Sequence, residues 1–259
     1  MKVVILCGGK GTRLREETEY RPKPMVPIGN RPILWHIMKI YASYGHKDFV
    51  LCLGYKGAII KEWFRNFRWL TSDVTVRLGD NPKFKFIDPI SEKDWTVTLA
   101  ETGDETMTGG RIKAIEKYIG EDEEFLLTYG DGLGNVDIHS LVNFHREKKK
   151  VLTMTGVRPP GRFGEIKVEN DNVVNFLEKP QASGGLINGG FFVANREIFR
   201  WLNDSPDLVF EAQPLSNLSE KNQLACFMHY GFWQPMDTFQ EFLLLNKIWE
   251  SGRADWKSW

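Results

Sequence analysis

Cysteine is scarce in this chain: three among 259 residues. Cys7, Cys52 and Cys226 form no metal-ligand spacing and no disulfide framework, and an odd number leaves one unpaired. Cys7 and Cys52 lie in apolar runs and read as small core residues. That usage fits a reducing compartment, hence the cytoplasm. Long apolar runs are also missing. None approaches the ~18 residues that span a bilayer, and the chain enters a core strand at Val3, so neither a signal peptide nor a membrane partner is expected. Excess charge of one sign is missing too, with 34 Lys+Arg against 34 Asp+Glu. No global field recruits nucleic acid or anionic lipid, and any phosphate site must be a local cluster. Otherwise the composition, 42% apolar and 26% charged, is that of an ordinary globular chain. Its length suits one large α/β domain or one domain with an appendage.

The stretch that organises the chain is its first. Val3-Val4-Ile5-Leu6 is short and wholly apolar, as expected of a strand covered on both faces in a mostly parallel sheet. Cys7-Gly8-Gly9-Lys10-Gly11-Thr12-Arg13-Leu14 follows. Three glycines in four positions allow a sharp turn and close approach of a bound group. Successive backbone N–H groups in such a turn make an anion site. Thr12 is a reasonable N-cap for a following helical turn, and Arg13 adds a fixed positive fork. The loop is neither a P-loop, since Gly9-Lys10 runs into Gly11, nor a dinucleotide fingerprint, since Leu14 stands where a third glycine belongs. It reads as a polyphosphate cradle, or else as an ordinary glycine-rich βα turn.

Arg21-Pro22-Lys23-Pro24-Met25 places one lysine between two prolines. Pro22 fixes its own φ, and Pro24 drives Lys23 towards an extended backbone. The segment aims a charge, or is a rigid surface turn with a solvated lysine.

Further on, Pro32 to Tyr44 reads as a helix with Gly45 at its C-terminal cap, and His36 inside it reads as a packed histidine. Phe49 to Leu53 is a second buried strand, and a helix follows Gly54-Tyr55 to about Phe67. This βαβα beginning predicts a doubly wound sheet. Residues 71 to 101 look like an insertion arm. Val74 to Leu78 and Trp95 to Ala100 are strand-like within it, and Phe84, Phe86 and Trp95 serve subunit contacts or local packing. Thr108 suits the N-cap of a helix to Tyr118, with Gly120 after it. Phe125 to Thr128 is an apolar strand ending in Tyr129-Gly130-Asp131-Gly132. A carboxylate at the carboxyl end of a parallel strand stands where ligands bind in open α/β sheets, and it suits Mg²⁺; otherwise Asp131 is a turn residue. Asp137 to Lys149 reads as a helix with a solvated lysine run at its end, and Val151 to Gly156 as a strand. Glu165 to Val168 with Val173 to Phe176 reads as a hairpin. A strand to Ala194, a helix to about Leu202, a helix from about Leu208 and a last strand, Leu224 to Phe227, complete the core. Asp237 suits the N-cap of a final helix, Thr238 to Ser251. Trp249, Trp256 and Trp259 predict a tail docked on the body or on a neighbouring subunit.

Gly8-Gly9-x-Gly11-Thr12-Arg13-Leu14 followed by Pro22-Lys23-Pro24-Met25 resembles the signature of the sugar-1-phosphate nucleotidylyltransferases. The branch it most resembles is the glucose-1-phosphate cytidylyltransferases. That likeness extends through Ile33-Leu34-Trp35-His36, Met107-Thr108-Gly109-Gly110-Arg111, Thr128-Tyr129-Gly130-Asp131-Gly132, Pro160-Gly161-Arg162-Phe163-Gly164, Ile187-Asn188-Gly189-Gly190 and Gly231-Phe232-Trp233-Gln234-Pro235-Met236-Asp237-Thr238. It implies an α/β nucleotidyltransferase domain over residues 1–259, with a doubly wound, mixed and mostly parallel Rossmann-like sheet plus small hairpins.

The resemblance also implies the chemistry: cytidylyl transfer from CTP to α-D-glucose 1-phosphate, giving CDP-glucose and pyrophosphate. It assigns Arg13, Lys23, Asp131 and Asp237 to catalysis, the two aspartates as Mg²⁺ ligands. Leu6, Gly8, Gly9, Lys10, Gly11, Thr12, Arg13, Lys23, Thr106, Gly110, Arg111 and Gly130 would bind the nucleotide. Gly164, Glu178, Lys179 and Asn188 would bind the sugar phosphate. A homo-oligomer and a bacterial cell-surface dideoxysugar pathway are implied as well. Two alternatives stay open: a relative using UTP, dTTP or GTP, and a nucleotide-sugar sensor that binds without turnover.

Overall fold

The computed structural model describes residues 1–87, 90–159, 165–169, 172–177 and 185–259. Among them, seven strands form one sheet: β1 (Val3–Leu6), β2 (Asp48–Leu53), β3 (Thr96–Glu101), β4 (Glu124–Tyr129), β5 (Leu152–Val157), β6 (Ile187–Asn195) and β7 (Leu224–His229). Their spatial order is β7-β5-β6-β4-β1-β2-β3. β1 runs parallel to both β2 and β4, with Leu6 opposite Cys52 on one side and Tyr129 on the other. β6 alone runs against its neighbours. The sheet is therefore mixed and mostly parallel, as the apolar, unpatterned strands predict.

Strand pleating sends successive side chains to opposite faces, and the two hydrophobic cores follow that alternation. Val3 and Ile5 of β1, Phe49, Leu51 and Leu53 of β2, and Phe191 and Val193 of β6 enter one core. Val4 and Leu6, Val50 and Cys52, and Phe192 and Ala194 enter the other. Helix α1 (Ile33–Ser43) covers the first face, with Gly45 past its end at φ +86°. α2 (Gly57–Arg65) enters the same core through Ile60 and stops at Asn66, where a separate short helix, Phe67–Thr71, begins. α3 (Thr108–Ala114) covers the second face and breaks at Ile115 before a further turn, Glu116–Ile119. α4 (Ile138–Lys148) is capped by the Asp137 side chain, which accepts from the Ser140 N–H at 2.9 Å.

Several boundaries differ from those read off the sequence. β3 belongs to the main sheet, so the arm shrinks to a hairpin of Val74–Arg77 against Lys83–Phe86. The helix expected to about Leu202 is present as a 3₁₀ helix, Arg196–Trp201. The helix expected from Leu208 starts at Gln213 instead, as α5 (Gln213–Glu220). The reason lies in a distant segment: the Leu208 carbonyl accepts the N–H groups of Gly109 and Gly110, and the Pro206 carbonyl accepts that of Met107. This stretch is thereby held as the cap of α3. The hairpin Glu165–Glu169 with Asn172–Leu177 is present. No helix among the described residues is long and apolar enough to cross a membrane.

The final helix α6 (Phe239–Glu250) and the tail dock on the body, as the tryptophans predict. Trp256 is almost wholly buried, and Trp249 meets His36 edge-on at 4.6 Å between ring centroids. His36 is packed, not catalytic: its Nε2–H donates to the Ile28 carbonyl at 3.0 Å, and Nδ1 faces the Trp256 indole N–H. Burial pulls its pKa down to about 4.

Candidate active site

The chain places β2 and β3 on one side of β1 and β4 on the other. Such a reversal opens a crevice beyond the carboxyl ends of the strands. A cavity of about 380 Å³ lies there. It is lined by Leu6, Gly8 to Arg13, Lys23, Thr106, Arg111, Gly130 and Asp131 among the anticipated residues, and by Cys7, Pro24, Met107, Thr108 and Tyr129 besides. Gly110 and Asp237 are not part of its lining. The glycine loop turns through Gly11 at φ +61°, a left-handed conformation that makes glycine the natural residue. Gly11, not Thr12, stands before the 3₁₀ turn Thr12–Leu14, and no side chain caps that turn.

Lys23 is buried, and its Nζ bridges two carboxylates: Asp131 Oδ2 at 2.7 Å and Asp237 Oδ1. Arg13 reaches the other oxygen of Asp237 at 3.0 Å from the exposed side. Burial works against the Lys23 ammonium, but the two carboxylates outweigh it and raise its pKa. The backbone differs from expectation by one residue. Pro22 is the extended residue (ψ 149°), and Lys23 opens a 3₁₀ turn through Met25. Pro24 tolerates this because it sits in the first turn, where an N–H has no partner anyway.

A short ladder brings the aspartates together. Gly132–Gly134 pairs antiparallel with Trp233–Pro235, Gly132 opposite Pro235, and the Met236 N–H donates to the Asp131 carbonyl at 2.8 Å. Asp131 and Asp237 thus flank one end of the ladder. Asp237 does not cap α6. Thr238 does, accepting from the Glu241 N–H, while Glu241 accepts from the N–H groups of Asp237 and Thr238 at 2.7 and 2.8 Å. The Thr238-x-x-Glu241 spacing is a capping box legible in the sequence. It leaves the Asp237 carboxylate to the cations.

Arg111 lies flat in the floor. One amino group donates to the carbonyls of Leu53 and Gly103 and to Thr102 Oγ1, and the other donates to the carbonyls of Gly8 and Asp104. A Cβ at Gly8 would overlap this guanidinium. Gly8 therefore makes room for Arg111, and Arg111 in turn ties the glycine loop to β2 and to the segment after β3. Burial holds the Arg111 pKa below its ordinary value. Lys10, at the mouth, pairs with Glu105 at 2.7 Å. Thr108 does not cap α3; its hydroxyl donates to Glu211 and accepts the Phe210 N–H.

On the far wall, the Asn188 amide donates to the Tyr129 hydroxyl at 3.1 Å, and its oxygen accepts the Gly190 N–H at 2.8 Å. Asn188 therefore reaches the cavity through Tyr129. Gly164, Glu178 and Lys179 lie outside the described residues. Tyr129 and Glu211 were not anticipated. For Tyr129 the signal was its position at the carboxyl end of a central strand. Glu211 carries none.

The model of the nucleotidyl transferase family matches residues 2–250. The chain is 48% identical to glucose-1-phosphate cytidylyltransferase of Salmonella typhi and 45% identical to probable glucose-1-phosphate cytidylyltransferase of Bacillus subtilis. Each alignment covers 100% of both chains. Among solved structures, HddC from Yersinia pseudotuberculosis matches with a TM-score of 0.68 at 23% identity, over 96% of this chain and 99% of that one. UDP-glucose pyrophosphorylase complexed with UDP-glucose matches with a TM-score of 0.69 at 14% identity, over 97% and 99%. These two likenesses concern the fold. With the glycine loop, the bridging lysine and the mixed sheet already in place, the match over nearly the whole chain shows that it belongs to the nucleotidyl transferase family.

Proposed function

We propose that the protein transfers the cytidylyl group of CTP to α-D-glucose 1-phosphate, giving CDP-glucose and pyrophosphate. The observation that carries this reading is the convergence of Lys23 and Arg13 on Asp131 and Asp237 beside a glycine loop. It stands in a chain 48% identical over its whole length to a glucose-1-phosphate cytidylyltransferase.

A phosphate oxygen of the sugar 1-phosphate attacks the α-phosphorus of CTP. The new O–P bond forms as the bond to the β-phosphate oxygen breaks, and pyrophosphate leaves with that electron pair. No protein nucleophile takes part, so the chain supplies position and charge. The N–H groups of the glycine loop and Arg13 face the leaving pyrophosphate. Lys23, desolvated and aimed by its turn, neutralises charge gathering at the α-phosphorus. Thr106 and Arg111 line the cavity on the base side, and Gly110 stands behind them, outside that lining. Asn188, with Gly164, Glu178 and Lys179, serves the sugar phosphate.

Asp131 and Asp237 are the residues that would hold Mg²⁺. Both carboxylates already converge on one cation, the Lys23 ammonium. Among the described residues no cluster of three or more His, Cys, Asp or Glu is suited to a metal. Two converging carboxylates suit an ion that takes one or two of them and fills its shell with phosphate oxygens and water. When bound, Mg²⁺ neutralises phosphate charge.

Pyrophosphate release measured with CTP, UTP, dTTP, ATP and GTP, each with glucose 1-phosphate and Mg²⁺, tests the reading. A strong preference for CTP is expected. Preference for another triphosphate would discard the assignment of the base, and binding without release would leave a sensor.

A further inference from the structure

The cations of the cavity gather at the glycine loop, and Tyr129, Asn188, Thr108 and Glu211 form a second, uncharged-to-acidic cluster on the β4–β6 side. Hydroxyl, amide and carboxylate groups with no cation among them suit a polyol, not a phosphate. Glu211 joins the cluster together. One carboxylate oxygen accepts from the Tyr129 hydroxyl and the other from the Thr108 hydroxyl at 2.6 Å. Tyr129 is restrained on its other sides too. Its ring lies against Gly190, which turns at φ +79° and where a Cβ would collide with it, and meets Phe192 edge-on at 5.7 Å. With the ring fixed, the proton given to Glu211 fixes the hydroxyl lone pair that takes the Asn188 amide N–H.

The sheet order separates this cluster from the floor built by Arg111. Arg111 ties Gly8 to the end of β2, whereas Asn188 stands on β6, beyond β4. The two sides of the cavity therefore differ in chemistry, a cationic floor on one and this uncharged-to-acidic cluster on the other. We propose that Glu211 is a positioning residue of the acceptor-sugar subsite, holding Tyr129 and, through it, Asn188 in the orientation that receives the sugar hydroxyls. The proposal rests on the transferase reading above and adds the residue that orders its sugar wall.

The test is steady-state kinetics of Glu211→Gln and Tyr129→Phe beside the wild type, with glucose 1-phosphate and CTP varied in turn. Loss of one ordering hydrogen bond predicts a rise of about tenfold in KM for glucose 1-phosphate. KM for CTP and the thermal midpoint should stay near wild type. Glu211→Asp should recover part of the effect, and discrimination between glucose 1-phosphate and galactose 1-phosphate should narrow in Glu211→Gln. An unchanged KM for the sugar overturns the proposal. So does a rise confined to CTP, which would give the wall to the ribose, and so does an equal change in both KM values with a lowered midpoint, which is a structural role. A wild type that turns over no sugar 1-phosphate at all fails the transferase reading itself, and that failure is visible before any variant is compared.

Discussion

Replacing Lys23 by methionine separates charge from bulk at the centre of the site. The ammonium lies 2.7 Å from Asp131 Oδ2 and also touches Asp237. At an effective dielectric of about 20, one such contact is worth roughly 6 kcal/mol before desolvation. Burial of the ammonium offsets much of that. Breaking a buried pair by removing one partner costs about 3–5 kcal/mol. The low end applies here, because Asp131 is about a third exposed at 32% and Arg13 stays on Asp237. A loss of about 3 kcal/mol corresponds to a fall of roughly 6–12 °C in the thermal midpoint. The turnover number should fall by at least ~10²–10³, the usual effect of removing one preorganised charge.

The same variant makes a second prediction that does not depend on turnover. With Lys23 gone, two carboxylates face each other and a divalent ion can take the place of the ammonium. Millimolar Mn²⁺ without nucleotide should therefore raise the midpoint of Lys23→Met and leave the wild type nearly unchanged. Titration followed by electron paramagnetic resonance should show tighter binding of free Mn²⁺ by the variant. Equal Mn²⁺ affinity in the two proteins, or turnover within tenfold of wild type, would refute the reasoning.

Other perturbations read other parts of the chain. Gly8→Ala should displace the Arg111 guanidinium, lowering stability by about 1–3 kcal/mol and raising KM for CTP, as thermal melting and kinetics would show. Trp256→Ala removes a fully buried ring from the tail cluster and should destabilise by about 3–5 kcal/mol in denaturant titration, with m unchanged. His36 is neutral when folded, its pKa lowered from 6.5 to about 4, so the unfolded chain binds the extra proton between those values. Stability should be lost as pH falls from about 6.5 to 4, by about 3 kcal/mol from this group. His36→Phe should flatten that slope in melts from pH 7 to 4, and an unaltered slope would assign it to other groups, such as His145, whose pKa burial also lowers.

The fold was legible where one physical requirement dominates. A strand covered on both faces must be apolar throughout, so Val3–Leu6 and Phe125–Leu127 declare themselves, and with them the site at their ends. Boundaries were lost where distant backbone decides. Leu208 looks like a helix start until its carbonyl is given to Gly109 and Gly110. Thr108 looks like a cap until its hydroxyl is claimed by Glu211. Asp237 looks like a cap for α6 as well as a metal ligand, but the capping box one residue later leaves its carboxylate to Lys23.

The glycine loop shows the limit most clearly. Sequence alone shows a glycine at position 8, and the natural inference is that a ligand comes close there. In the structure the requirement comes from Arg111, 103 residues away, whose guanidinium fills the space a side chain would take. That arginine fixes the carbonyl of Gly8, the carbonyl fixes the path of the loop, and the loop sets where its N–H groups point. A glycine chosen for a neighbour within the fold and one chosen for a bound phosphate are identical in sequence. Only the occupant of the missing Cβ position separates them. At Gly8 that occupant is protein, whereas at Gly9 nothing lies within 4 Å and the space opens to the cavity. At Gly9, therefore, a ligand can come close to the backbone from the side that Arg111 fills at Gly8.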